Sequence, residues 1–288
     1  NAKVLLVDDV VMNLEAVQAM MEFAQMQIDT ATSGAEAITL VQQKHYHIIF
    51  MDHMMPEMDG IQTTEAIRSL AEETGDLYYE TVPIIALTAN TMAGVNELYQ
   101  KAGMQDFVSK PIEMKTMIQV LMHWLPEELI QKASNAEMEE QARQRQGAQN
   151  AGLESSGKRD WMDVQEDLME LGFGALDLDE ARKYQAEVKN FEQSLKSYCK
   201  AYEENQSLIT SFYDAKDLGN YVIRVHGLKS SSKLIGAMKL SEQARELEEL
   251  GNKGEWNDAA QEQLLADYAS VVDCAKAYLN RQKQQKGL

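Results

Sequence analysis

Several polar residues stand directly after short apolar runs. Asp8 and Asp9 follow Lys3-Val-Leu-Leu-Val7, Asp52 follows His47-Ile-Ile-Phe-Met51, Thr88 follows Pro83-Ile-Ile-Ala-Leu87, and Lys110 follows residues 105–109. If these runs are neighbouring parallel strands, their carboxyl ends line one crevice, the usual ligand site of an open α/β sheet. A single aspartate at a strand end is an ordinary cap or turn residue. Three carboxylates, a hydroxyl and an ammonium gathered at one rim suggest chemistry. The carboxylates repel one another unless a hard cation sits among them, and Mg2+ takes oxygen ligands while keeping several waters. Asp52 can then act as a carboxylate nucleophile that forms an acyl phosphate. Lys110 brings a point charge and Thr88 a donor to the phosphoryl oxygens, and phosphoryl transfer needs mainly positioning and charge compensation.

A second stretch, Arg224-Val-His-Gly-Leu-Lys-Ser-Ser-Ser-Lys-Leu-Ile-Gly-Ala237, carries a different nucleophile. At 3.6 residues per turn, Tyr221, Val225, Leu228, Ser232 and Ile235 share one helix face. His226, Lys229, Ser230, Lys233 and Ala237 share the opposite one. His226 is therefore expected to face solvent, with Lys229 one turn on and Lys233 two turns on. Serine and glycine are poor helix formers, so small size rather than helix stability explains them there; they let a partner's backbone approach. The neutral imidazole is a competent nucleophile near pH 7. A lone histidine on a Ser-rich helix is an ordinary surface residue, so the surroundings of His226 carry this reading.

Both sites need elements to place them. Over residues 1–125, strand-like runs at 3–7, 28–31, 47–51, 83–87 and 105–109 alternate with helical patterns at 12–24, 34–44, 61–70 and 112–124. Ser33 is a candidate N-cap for the second helix. Such alternation implies a parallel sheet with right-handed crossovers. The polar segment 71–80 is expected to be a surface excursion without effect on the chemistry. Residues 126–160 are rich in Gln, Glu, Ala, Asn, Ser and Gly and read as a linker whose root-mean-square span is roughly 30–35 Å. From Trp161 to Leu288 the pattern is helical, with segments near 179–203, 205–215, 217–233, 237–251 and 257–281, which suggests a helical bundle.

Composition narrows the function. The 288-residue chain has a net charge of -19. Residues 1–125 hold 6 basic and 17 acidic residues, and the remainder 21 and 29. Both halves are thus acidic, which argues against a nucleic-acid partner, whose phosphates need Lys and Arg. No run approaches the ~18 consecutive apolar residues of a membrane span, so direct membrane contact is not expected. The start at Asn1 without a signal pattern suggests a piece of a longer protein. Cys199 and Cys274 fit no zinc or redox spacing and suggest reduced thiols in the cytoplasm.

The motifs Val7-Asp-Asp9, Met51-Asp-His-Met-Met-Pro-Glu-Met-Asp-Gly60, Ala86-Leu-Thr-Ala89 and Ser109-Lys-Pro111 resemble a response-regulator receiver domain over residues 1 to about 125. The resemblance implies a flavodoxin-like sheet of strand order 2-1-3-4-5. It also implies that Asp52 is the phosphoacceptor, that Asp9 ligates Mg2+ with Asp8 assisting through water, and that the backbone carbonyl of Met54 is a further ligand. Thr88 would move toward the phosphoryl group, Lys110 would pair with it, and Phe107 would be the switch aromatic. His53 stands where the family usually has an aliphatic residue, and packing is its expected role. His226-Gly-Leu-Lys-Ser-Ser-Ser-Lys-Leu-Ile-Gly-Ala237, with Leu240-Ser-Glu-Gln-Ala-Arg-Glu-Leu-Glu248, resembles a histidine-containing phosphotransfer (HPt) domain, a four-helix bundle. That resemblance makes His226 a second phosphoacceptor supported by Lys229, with Ser230, Lys233 and Gly236 on the docking surface; Ser230 replaces a glycine common in the family.

The tandem is similar to the C-terminal end of a bacterial-type hybrid sensor histidine kinase. It implies a two-component phosphorelay whose partners are a kinase phosphohistidine domain and other receivers. No ATP-binding kinase core is visible, so these are phosphotransfer modules, and a preceding region could anchor the parent in a membrane. The alternatives are a stand-alone regulator whose helical half is an interaction or dimerisation module, and a metal-dependent phosphatase. Met54 disfavours the latter, because such enzymes usually place a second Asp two residues after the nucleophile.

Overall fold

The computed structural model describes residues 2–21, 26–88, 95–129, 159–171, 176–185 and 187–285. Most of the expected linker, residues 130–158, lies outside the described residues, as do the last positions of the helix expected over 12–24. The chain divides into two compact units, one built around a sheet and one all-helical.

The first unit is a five-stranded parallel sheet in the order β2-β1-β3-β4-β5, the flavodoxin-like arrangement. Its strands are β1 (Lys3–Val7), β2 (Gln27–Ala31), β3 (Ile48–Asp52), β4 (Ile84–Thr88) and β5 (Asp106–Ser109). Every residue of β3 and β4 is buried, as expected of central parallel strands covered on both faces. The helices are α1 (Val11–Met21), α2 (Gly34–Gln43), α3 (Gly60–Thr74), α4 (Tyr78–Thr81), α5 (Val95–Lys101) and α6 (Met114–Trp124). Ser33 caps α2 by accepting from the Glu36 N–H. Asp59 and Gln62 form a reciprocal capping box at the start of α3, satisfying donors that the first turn leaves open.

The segment 71–80 departs from expectation. Four of its residues extend α3 to Thr74, and Tyr79 is buried in the core. The cause is Arg68, whose guanidinium donates to the carbonyls of Tyr79 (2.7 Å), Val82 (2.8 Å) and Gly103 (2.7 Å). The excursion is thereby tied to the entry of β4 and the approach to β5. Helix α5, only 7 residues long, is too short to show a clear apolar period in the sequence.

The second unit comprises α7 (Trp161–Glu170), α8 (Leu178–Arg182) and four long helices, α9 (Val188–Asp214), α10 (Leu218–Leu234), α11 (Met238–Asn252) and α12 (Asp258–Gln285). The break expected near residue 204 does not occur, because 203–207 contain neither Gly nor Pro and α9 runs through them. The chain turns instead near residue 185. Tyr221, Tyr268, Tyr278 and Phe191 are among the largest fully buried side chains. Two of the tyrosine hydroxyls find partners, Tyr221 with Gln261 at 2.7 Å and Tyr278 with Glu192 at 3.2 Å, which is what keeps a buried tyrosine affordable. Asp167 on α7 pairs with Arg281 Nε of α12 at 2.6 Å and accepts from Gln282 at 2.8 Å.

Gly236 ends α10 with φ of 78°, and a Cβ there would meet the Asp177 carbonyl oxygen at 2.1 Å. The Asp177 N–H in turn donates to the Gly236 carbonyl at 2.7 Å. Replacing Gly236 by Ala should lower the stability of the helical unit by about 1–3 kcal/mol, read as a lower urea midpoint by circular dichroism at unchanged slope.

Candidate functional site

The strand ends meet as the register requires. Val7 pairs with Met51, Asp52 with Leu87 and Thr88 with Ser109. The residues following β1 and β5 therefore stand level with the ends of β3 and β4. Asp8, Asp9 and Asp52 each offer a carboxylate oxygen within 4.8 Å of the others. Asp8, Asp52 and Thr88 are buried, and Asp9 is half-buried. Lys110 Nζ lies 2.5 Å from Asp8 Oδ2 and 2.8 Å from Asp52 Oδ2, and its backbone N–H donates to the Thr88 carbonyl at 2.7 Å. Burial alone would lower the Lys110 pKa. The carboxylates of Asp52 and Asp8 outweigh that and hold it above its ordinary value, so the ammonium stays charged.

The loop after Asp52 folds back tightly. The Gly60 N–H donates to the His53 carbonyl at 3.1 Å, and the His53 N–H donates to the Leu87 carbonyl at 3.2 Å. A Cβ at Gly60 would fall 2.1 Å from the Asp52 carbonyl oxygen, so only glycine lets α3 start there. The Met54 N–H donates to Asp52 Oδ1 at 3.4 Å, which brings the Met54 backbone to the cluster. Three carboxylates with this spacing suit a hard, oxygen-seeking cation, so the residues present fit Mg2+. Phe107 is partly buried against the sheet core, and the half-buried His53 ring makes an edge contact with Tyr99 at 6.0 Å.

The face of α10 expected to be open is not. Tyr221, Val225, Leu228, Ser232 and Ile235 are buried as expected, but so are His226, Ser230 and Ala237 on the other side. A helix packed on one side would leave that face open, but both α9 and α11 pack along α10. His226 is only 3% exposed, with Nδ1 2.6 Å from Glu248 Oε1. The other oxygen of Glu248 accepts from Lys229 Nζ at 2.5 Å. Burial would raise the Glu248 carboxyl, yet hydrogen bonding and charge from His226 and Lys229 hold it below its usual value.

The small and basic neighbours of His226 also serve internal contacts. Lys233 faces Glu180 at 4.0 Å and the Tyr184 ring at 5.9 Å. Ser241 Oγ donates to the Lys229 carbonyl at 2.9 Å. Gly236 is filled by the backbone of Asp177 rather than standing open for a partner. The contact of Glu248 with His226 is not legible in the sequence: Glu248 lies 22 positions from His226, beyond what the wheel of a single helix can show. Its one signal was its place at the end of the motif Leu240–Glu248.

Residues 4–122 match the family model of the response regulator receiver domain, and residues 179–280 match that of the Hpt domain. The sensor protein GacS of Pseudomonas syringae pv. syringae is 38% identical over 122 residues, covering 42% of this chain and 13% of that protein. The signal transduction histidine-protein kinase BarA of Escherichia coli K12 is 35% identical over 123 residues, covering 43% and 13%. Two-component system protein A of Emericella nidulans is 40% identical over 124 residues, covering 42% and 17%. The chain thus spans less than a fifth of the length of these relatives. Domains of these two kinds interact with other phosphorelay components such as kinases and response regulators, and a plain interaction module is not favoured for the helical half. Among the described residues no helix is long and apolar enough to cross a membrane.

Because the folded pKa of Glu248 is depressed, its contribution to stability is present above the unfolded value near 4.5 and is lost as pH falls through the folded one. Urea titrations from pH 7 down to 3 should therefore show a shallower acid loss for Glu248→Gln than for the parent chain, with a lower starting stability at pH 7.

Proposed function

The chain joins a response-regulator receiver domain to an Hpt domain, the modules of a two-component phosphorelay, and from that premise we propose that Asp52 and His226 are its phosphoryl acceptors. The modules extend over about 1–125 and 161–288, with 126–160 as the connecting linker. The observation that carries this reading is Lys110 held between Asp8 and Asp52 at 2.5 and 2.8 Å, a cation already in place beside a carboxylate nucleophile.

The donor is a phosphohistidine on a kinase partner. A carboxylate oxygen of Asp52 attacks phosphorus as the nitrogen–phosphorus bond breaks, and the donor imidazole leaves with that electron pair. Lys110 turns its charge to the phosphoryl oxygens, and Thr88 donates its hydroxyl to one of them. Asp8, Asp9 and Asp52, with the Met54 carbonyl, would hold Mg2+, which would supply further charge compensation. Phe107 follows Thr88 as the switch aromatic.

In the second step Nε2 of a histidine attacks the acyl phosphate, the oxygen–phosphorus bond breaks and the Asp52 carboxylate is restored. For His226, the Nδ1 proton stays on the ring and is donated to Glu248, which directs the lone pair to Nε2. The phosphorylated ring is then cationic, and the Glu248 carboxylate offsets its charge. Lys229 shares that carboxylate, while the partly exposed Lys233 lies on the surface that meets a receiver. Both acceptors are buried, so each step needs the donor admitted to the site. The parent is a hybrid sensor histidine kinase, and this part of it works in the cytoplasm with the kinase phosphohistidine domain and with other receivers.

Incubation with Mg2+ and acetyl phosphate, followed by mass spectrometry, tests the assignment. Alkali-labile phosphate is expected on Asp52 and acid-labile phosphate on His226. Asp52→Asn should remove both, and His226→Gln only the acid-labile label. Acid-labile label that persists on the helical half of His226→Gln at the parent level excludes the histidine assignment.

A further inference from the structure

Tyr99 stands on α5 beside the aspartate cluster and belongs to none of the roles above. It is 3% exposed and packs within the sheet core. No group among the described residues completes a hydrogen bond to its hydroxyl. Buried polar groups are almost always paired, and a phenylalanine would fill the same core space without that cost. The groups around the hydroxyl are those of the site. Burial raises its pKa, the Thr88 hydroxyl pulls it back, and the charge of Asp52 adds to the rise. The ring edge meets His53, the residue next to Asp52, at 6.0 Å. Phe107, paired across the sheet with Ala86, has no hydroxyl to offer Thr88.

A threonine hydroxyl can donate one hydrogen bond and accept others. Once its proton is committed to a phosphoryl oxygen, its lone pairs face an incoming donor, and successive bonds in such a chain strengthen one another. We propose that Tyr99 is a positioning residue for phosphoryl transfer at Asp52: its hydroxyl donates to Thr88 Oγ and so aims the Thr88 proton at the phosphoryl group. This rests on Asp52 being the acceptor. Thr88 already acts on the Tyr99 hydroxyl in the resting protein, without a bond of full geometry; phosphorylation completes that bond, which couples α5 to the state of Asp52.

The test follows loss of phosphate from Asp52 in the His226→Gln chain, where the group can leave only to water, after loading with acetyl phosphate and Mg2+. Tyr99→Phe keeps the ring and its contact with His53. It should shorten the half-life of the acyl phosphate about three- to tenfold with an unchanged melting temperature. In a Thr88→Val background the same change should have no further effect, since the acceptor is gone. In the parent chain, beryllofluoride with Mg2+ should bring out a slowly exchanging Tyr99 hydroxyl proton by NMR. An unchanged half-life in Tyr99→Phe, an equal loss with and without Thr88, or a Tyr99 proton that still exchanges fast in beryllofluoride overturns the proposal while leaving Asp52 as acceptor. Absence of label on Asp52 in the starting chain removes the premise and the proposal together.

Discussion

Three carboxylates crowded at one rim of a sheet repel each other, and everything at this site follows from how that repulsion is managed. Among the described residues Lys110 is the cation lodged between Asp8 and Asp52, and it comes from the strand farthest from β1 on that side of the sheet. The lysine bridges β1 and β3 only because the parallel register brings every strand to the same level. Sheet order and acid chemistry are therefore one constraint. A one-residue slip in β5 would turn Lys110 to the other face of the sheet and leave two buried carboxylates uncompensated, which is far costlier than a lost surface pair.

The helical unit meets the same electrostatic problem with the signs rearranged. Here the buried charge is Glu248, and it is held by an imidazole and an ammonium at once. In one unit an ammonium answers two carboxylates; in the other a carboxylate answers two nitrogen bases. In each the proposed phosphoryl acceptor is one member of the trio.

How much of this could be read from the chain depended on where each partner lies in sequence. The strands and the residues ending them were legible, because Asp52 or Thr88 follows directly on the apolar run that positions it. Ser33 announced α2 for the same reason of locality. The orientation of His226 was not legible. A wheel drawn for α10 alone assumes one packed side, and α9 and α11 occupy two. The placement of Tyr99 beside His53 and of Glu248 beside His226 was not legible, because each comes from a different element through tertiary packing that no local period records. The segment 71–80 misled through its polarity, since the group that secures it, Arg68, belongs to the preceding helix and spends its donors on backbone carbonyls.

The backbone closure at Gly60 bears on how such a chain can change in length. Its N–H returns to the carbonyl of His53, and its α-carbon presses on that of Asp52. The span between those two residues thus forms a closed ring of fixed circumference, and an inserted residue would have to break it. At the opposite rim, the passage from α3 to β4 is tied by one long side chain that can follow a shifted backbone. Lineages sharing this architecture should vary freely in loop size at the amino-terminal rim of the sheet and hardly at all beside the acidic one.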